Sequence, residues 1–314
     1  VDLTIGVDVG GTKIAAGVVD EEGRVVDRRR VATPVATSDA LDEGIVALLA
    51  SLRAVHQVSG VGIAAAGFVD ERRATVRFAA NLPWRDHPLR DILAKHVDVP
   101  VIVENDANAA AWAEYRFGAG RGVADVVLIA LGTGLGAGIV IDGRLVRGAW
   151  GIAAEPGHMR LVPDGRPCGC GLRGCWEQYA SGSALLRQAR LMIEEEPHAT
   201  AALLRSAGGD PAALTGQMIS AAAHAGDPAA QELLAETGRR LGEGIATVAA
   251  MLDPAVVVIG GGVSEAGEVL LAPARQTYLA LLSGAAFRPQ LEIRAAQLGN
   301  DAGIVGAADL ARQP

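Results

Sequence analysis

Twice along this chain an apolar strand runs into a Gly/Thr turn and comes straight back out. Residues 3–9, LTIGVDV, lead into Gly10-Gly11-Thr12-Lys13 and then IAAGVVD, while residues 123–131, VADVVLIAL, lead into GTGLG and then AGIVIDG. Each copy continues into a third strand, VVDRRRV in the first and RLVRG in the second. A tight turn suffices to return a strand antiparallel, so each copy predicts a meander and not a strand–helix crossover. A duplicated start in 314 residues points to two related α/β lobes, because single cores stop growing near this size.

The rest of the pattern fits that plan. Leu41, Ile45, Leu48, Leu49 and Leu52 recur at helical spacing over 40–56, and buried-type strands are expected at 61–67 and 99–105. A helix follows from Asp106 to Gly118. Beyond residue 176 the chain predicts helices over 176–194, 198–205, 217–225 and 228–252. Strand PAVVVIG, a helix around 265–282, strand QLEIRAA and a closing helix from Ala302 to Leu310 complete it. The closing helix is expected to pack on the first lobe, giving a smaller lobe of 1–109 with 301–314 and a larger lobe of 110–300.

Charge narrows the partners. A formal net charge of −8, with no dense Lys/Arg tract beyond Arg28-Arg29-Arg30, argues against nucleic acid, which wants a basic surface. No long charge-free apolar run and no basic, apolar leader is present, so the expectation is a cytoplasmic protein without a membrane partner. In that compartment cysteines stay reduced.

All three cysteines nevertheless crowd into GHMRLVPDGRPCGCGLRGCWE, residues 157–177. Cys168, Cys170 and Cys175 read as C-x-C-x4-C, with His158 ten residues before the first. Three thiolates and one imidazole form a known structural zinc set, and a closed four-ligand shell makes Zn2+ scaffolding, not catalyst. The alternatives are buried unligated thiols and a redox pair. The second ring nitrogen of His158 would remain for a carboxylate, carbonyl or substrate hydroxyl.

Three Gly-rich turns each follow an apolar strand: GVDVGGTK at 6–13, LGTGLG at 131–136 and IGGGVS at 259–264. None is a dinucleotide fingerprint or a G-x-x-x-x-G-K-[ST] loop. Together their amides can gather around a triphosphate, with hydroxyls from Thr12 and Thr133. Asp8, at a strand end, is placed to hold a Mg2+-bound water. Asp106 stands where strand VPVIVEN gives way to a helix, after Glu104 and Asn105. One reading is a helix cap. The other is a carboxylate that takes the proton of a hydroxyl attacking a γ-phosphate.

Strand–DxGGTK–strand, the strand ending in END, LGTGxG, and E-x-G-H-x9-C-x-C-G-x2-G-C-x-E closely resemble the bacterial ROK family of repressors, open-reading-frame proteins and sugar kinases, most of all its actinobacterial-type glucokinases. The resemblance runs nearly end to end. It implies the two-lobed actin-like ATPase/hexokinase (ribonuclease H-like) fold with an active-site cleft between lobes. It also implies ATP-dependent phosphorylation of the 6-hydroxyl of D-glucose.

Asp106 matches the catalytic base and Asn105 its sugar-bonding neighbour. Glu155 and His158 match residues holding hydroxyls at the C1–C3 side of a pyranose, His158 also being the fourth zinc ligand. Glu177 and Asn81 match further sugar contacts, and Gly67 a backbone one. For ATP, Gly10, Gly11, Thr12 and Lys13 match the first phosphate turn, Thr133 and Gly134 the second, and Gly261 and Gly262 the turn near the nucleoside.

Pro156, inside the E-x-G-H motif, departs from relatives that often carry an apolar side chain there. The family's repressors add an N-terminal helix-turn-helix; with a first strand starting by residue 3, none is expected here. A homodimer or homotetramer is implied. The alternatives kept open are another neutral hexose or N-acetylhexosamine (fructose, mannose, allose), polyphosphate as a donor, and a sugar-binding regulatory protein without transferase activity.

Overall fold

The computed structural model describes residues 2–313. In chain order the elements are β1 (Thr4–Val9), β2 (Lys13–Val19), β3 (Val25–Ala32), α1 (Ser38–Arg53), β4 (Gly60–Ala65), β5 (Phe68–Val69), β6 (Val76–Phe78), β7 (Arg85–His87), α2 (Leu89–Leu93), β8 (Val101–Asn105) and α3 (Asp106–Phe117). There follow β9 (Val126–Leu131), β10 (Leu135–Ile141), β11 (Arg144–Leu145), α4 (Glu177–Ala180), α5 (Gly182–Glu195), α6 (Ala201–Ser206), α7 (Gly216–His224), α8 (Pro228–Leu252), β12 (Val256–Gly260), α9 (Glu268–Leu281), β13 (Glu292–Ala295) and α10 (Ala302–Ala311).

The predicted duplication is visible in strand order. One five-stranded sheet runs β3-β2-β1-β4-β8 and the other β11-β10-β9-β12-β13. In each, the strand before the Gly/Thr turn sits in the middle, with its meander on one side. In the first sheet β1 pairs antiparallel with β2 and parallel with β4, which pairs parallel with β8. The arginine-rich β3 is an edge strand with mostly exposed residues, where charge discourages further pairing.

By contacts the chain forms two units: Val1–Leu128 with Gly138–Ala154 and Gln297–Pro314, and Ile129–Ala137 with Glu155–Ala296. Helix α3 lies whole within the first unit, so the expected division between 109 and 110 passes through it. The closing helix α10 belongs to that unit. A Cβ on Gly6 or Gly62 would stand 1.9 Å from the Ile304 or Ala307 carbonyl, so both glycines let α10 lie directly on the sheet backbone. Its one buried acid, Asp309, accepts from Trp112 Nε1 at 2.8 Å and Arg116 Nε at 3.1 Å on α3.

The second unit is built on α8, whose predicted limits hold. Asp227 caps it by accepting the Ala230 N–H at 2.8 Å, Pro228 opens it, and Asp253 ends it in the left-handed region at φ 47°. The single helix expected over 176–194 is instead two, α4 and α5. Ser181 takes an extended conformation and accepts the Ala184 N–H at 3.2 Å, starting a new helix. The third strand RLVRG shortens to two residues, ending before Gly148 at φ 74°. No helix among the described residues is long and apolar enough to cross a membrane.

Candidate active site

Register builds the first half of the site. Asp8, Ala64 and Glu104 stand abreast across β1, β4 and β8, and Val9, Ala65 and Asn105 form the next row. The three parallel strands end together. Gly10, Gly67 and Asp106 therefore issue from neighbouring carboxyl ends, the edge where open α/β sheets hold ligands.

The capping question has a definite answer. Asn105, not Asp106, caps α3: its Oδ1 accepts the Asn108 N–H at 2.9 Å. Its Nδ2 donates to the Gly67 carbonyl at 3.1 Å and to Asp106 Oδ1 at 3.2 Å. Asp106 Oδ1 also accepts the Ala107 N–H at 2.9 Å. The carboxylate is thus aimed by its neighbour and not spent as a cap. Burial pushes the Asp106 carboxyl above the usual range, against the pull of the bonds from Ala107 and Asn105. Asp8 is pushed up to about 6, chiefly by burial, with the Asp106 charge adding and Lys13 opposing. Both residues keep some solvent exposure, but the Asp8 carboxyl sits deep enough to feel the Asp106 charge.

The first glycine turn is closed by the Gly10 N–H to the Lys13 carbonyl at 3.1 Å. Thr33 consumes two of its carbonyls, through its hydroxyl to Gly10 at 2.7 Å and its N–H to Thr12 at 3.1 Å. The turn's remaining amides and the exposed Thr12 are what it can offer an anion. Asn81 packs beside Gly11, where a Cβ would stand 3.1 Å from its own Cβ. Its exposed loop is held by Arg85, which donates to the carbonyls of Ala79, Leu82 and Trp84 at 2.6, 3.0 and 2.6 Å. Fully buried Trp84 anchors the loop through Nε1 to Asp42 Oδ1 at 3.2 Å, and His87 Nε2 meets Asp42 Oδ2 at 2.8 Å.

In the second unit the three thiols and His158 converge, with all four ligand atoms within 4.8 Å of one another. Cys168 Sγ lies 3.7 Å from His158 Nδ1, and Cys170 Sγ 3.6 Å from Cys175 Sγ. Ligands held 2.3 Å from a tetrahedral centre are about 3.8 Å apart, so this set fits such an ion. Nδ1 faces the thiols, leaving Nε2 as the second nitrogen. Burial first, then bonds to Glu177 and the other thiols, pushes Cys168 up to about 12, a proton a cation must displace.

The same loop carries Glu177, whose Oε1 accepts the Cys168 S–H at 2.9 Å. Its Oε2 lies close over Gly134, where a Cβ would be 2.8 Å away. Thr133 and Gly134 form the exposed β9–β10 turn, whose Gly132 and Thr133 carbonyls accept the Gly182 and Ser183 N–H groups at 2.8 and 3.3 Å. Gly261, at φ 83°, abuts the Leu131 carbonyl, and Gly262 opens the exposed turn after β12. Glu155 precedes the single 3₁₀ turn Pro156–His158, its carbonyl accepting the His158 N–H at 3.1 Å.

Sequence reading missed Trp176. Its indole, buried between Cys175 and Glu177, fills the hollow at Gly244 of α8 and donates Nε1–H to the Arg240 carbonyl at 2.7 Å. A lone aromatic beside the last cysteine was its only signal.

Comparison with known proteins agrees with this architecture. The sequence profile of the ROK family matches residues 4–314. A glucokinase of Streptomyces coelicolor is 50% identical over 312 residues, covering 99% of this chain and 98% of that one. An N-acetylmannosamine kinase of Escherichia fergusonii is 38% identical over 311 residues, with 98% of each covered. Among solved structures, a ROK family glucokinase from Streptomyces griseus in complex with glucose and AMPPNP is 54% identical with a TM-score of 0.91, over 99% of this chain and 100% of that one. The fold is accordingly the α/β fold of the actin/hexokinase (ribonuclease H-like) superfamily, with two five-stranded sheets and a small three-stranded one, β5-β6-β7.

Proposed function

The chain belongs to the ROK family, and from that premise we propose that it transfers the γ-phosphoryl group of ATP to the 6-hydroxyl of D-glucose, giving glucose 6-phosphate and ADP. One observation carries the chemistry: a buried carboxylate, Asp106, held by Asn105 at the carboxyl end of β8 in the row of strand ends that includes Asp8. The hydroxyl oxygen attacks the γ-phosphorus, its proton passes to Asp106, and the bond to ADP breaks. Electrostatics and positioning dominate such transfers, so a base whose main task is orientation suffices.

The other roles follow the chemistry of the side chains. Asn81, Asn105, Glu155, His158 and Glu177, with the Gly67 backbone, would hold the sugar hydroxyls. Ionised acceptors suit a neutral polyol, and a missing or inverted hydroxyl would leave one unpaired. The turns at Gly10–Lys13, Thr133–Gly134 and Gly261–Gly262 would hold ATP. Mg2+ would be held through water by Asp8 and would neutralise charge on the transferring oxygens. Zn2+, held by His158, Cys168, Cys170 and Cys175, would fix the loop between His158 and Glu177 as scaffolding. A homodimer or homotetramer is the assembly to look for by light scattering.

The test is a matrix of hexoses and N-acetylhexosamines against ATP, ADP and polyphosphate, scored for sugar phosphate, with Asp106→Asn beside it. Glucose with ATP is expected to lead. Asp106→Asn is expected to keep zinc and sugar binding while turnover falls by several orders of magnitude; near-normal turnover would remove the base. The 38% identical N-acetylmannosamine kinase favours N-acetylhexosamines as the second reading.

A further inference from the structure

Glu104, the first residue of the END stretch, has no part in the transfer just described, yet it is the most completely enclosed acid near it, with 2% of its side chain exposed. Both of its oxygens are committed. Oε1 accepts the Asn105 N–H at 3.1 Å and Asn108 Nδ2 at 3.1 Å. Oε2 accepts Arg147 Nε at 2.6 Å and lies 3.6 Å from Arg73 Nε. One oxygen therefore grips both ends of the Asn105–Asn108 capping turn, within which Asp106 sits. The other oxygen is bonded by the Arg147 guanidinium, with that of Arg73 close by as a second, longer-range cation.

Those guanidiniums are themselves anchored. Arg73 stands in a turn at φ 55°, and its carbonyl accepts the Val103 N–H of β8 at 3.0 Å. Burial, then the charge of Arg147, pushes Arg73 down to about 10, with Glu104 opposing. Arg147 is a quarter exposed and lies in the segment that leads along the chain to Glu155; its carbonyl accepts the Ala153 N–H at 3.1 Å. Two cations around one carboxylate exceed what charge balance needs. The bond from Arg147 and the two from the turn fix the carboxylate in a single orientation, as a bearing for the turn.

We propose that Glu104 and Arg147 are positioning residues for Asp106: the Arg147–Glu104 ion pair locks the Asn105–Asn108 turn and so sets where the base points. This rests on the kinase reading above. A displacement of about 1 Å at a reacting group costs on the order of 100-fold in rate, more than the loss of one of several substrate contacts costs in affinity.

The experiment uses Arg147→Ala and Glu104→Gln in the full chain. Arg147→Ala is expected to lower kcat roughly 10- to 100-fold while the KM for ATP stays within about 3-fold and sugar affinity, carried mainly by residues outside the turn but partly by Asn105, falls by less than kcat does. Ethylguanidinium is expected to restore kcat several-fold in Arg147→Ala, but not in the Glu104→Gln/Arg147→Ala double variant, which has no carboxylate to receive it. In the ligand-free protein, amide exchange over residues 104–112 should quicken at least about 10-fold in Arg147→Ala.

Unchanged kcat in an active wild-type background, or a loss that ethylguanidinium does not relieve, overturns the proposal. Unchanged exchange over 104–112 overturns it whether or not the protein phosphorylates glucose. If Glu104→Gln fails to fold, Arg147→Ala decides the matter alone. Failure of wild type to make any sugar phosphate would sink the kinase reading instead.

Discussion

Asp8→Asn offers a sharp test of the electrostatics at the β1 mouth. Closure of the first turn of α10 over Asp8, where a Cβ on Gly303 would stand 3.0 Å from its Cγ, together with the nearby Asp106 charge, raises its pKa from 3.8 to about 6. The folded carboxyl thus holds its proton more tightly than the unfolded one. Its contribution to stability is full below 3.8 and declines as pH climbs through about 6, the reverse of a salt-bridged acid.

A rise of about two pH units at about 1.4 kcal/mol each gives close to 3 kcal/mol, which the solvent still reaching Asp8 trims to about 2. Asp8→Asn removes this penalty. Urea unfolding of metal- and nucleotide-free protein should show the variant gaining on wild type from near zero at pH 4 to about 2 kcal/mol at pH 7.5, levelling off above pH 7. A difference that does not change with pH would refute the reasoning. The gain in stability would accompany lost turnover, since Asp8 is assigned to magnesium.

Two further outcomes are expected. Replacing Cys170 by Ala should release bound zinc, measured by elemental analysis, and weaken glucose binding at least about 10-fold through the loosened His158–Glu177 loop; protein purified without zinc would contradict the metal assignment. Trp176→Ala empties a fully buried site and removes a bond to the Arg240 carbonyl, so thermal unfolding should report about 3–5 kcal/mol of lost stability together with reduced metal content.

Much of this molecule was readable in advance because its signals are local. The 25-residue α8 carries Asp227-Pro228 at its start, and His158 and the three cysteines that converge on it lie within one short loop where spacing restricts the chemistry. Apolar strands ending in Gly turns fixed both meanders. Where neighbouring residues could each do the same job, local signals failed. Both Asn105 and Asp106 suit a cap, and the role falls to Asn105, whose Nδ2 also reaches the Gly67 carbonyl 38 positions away. The break at Ser181 hides inside a run that is helical on both sides. The clamp on Glu104 joins residues 43 positions apart, a pairing that no window of sequence reveals.

The seating of α10 on Gly6 and Gly62 has a bearing on biosynthesis. During translation, β1 and β4 emerge from the ribosome long before the helix that covers them, so the nascent amino-terminal sheet presents a bare backbone face while some two hundred residues are still unmade. That interval is when a holdase would find its target, and it would close only once α10 has been made.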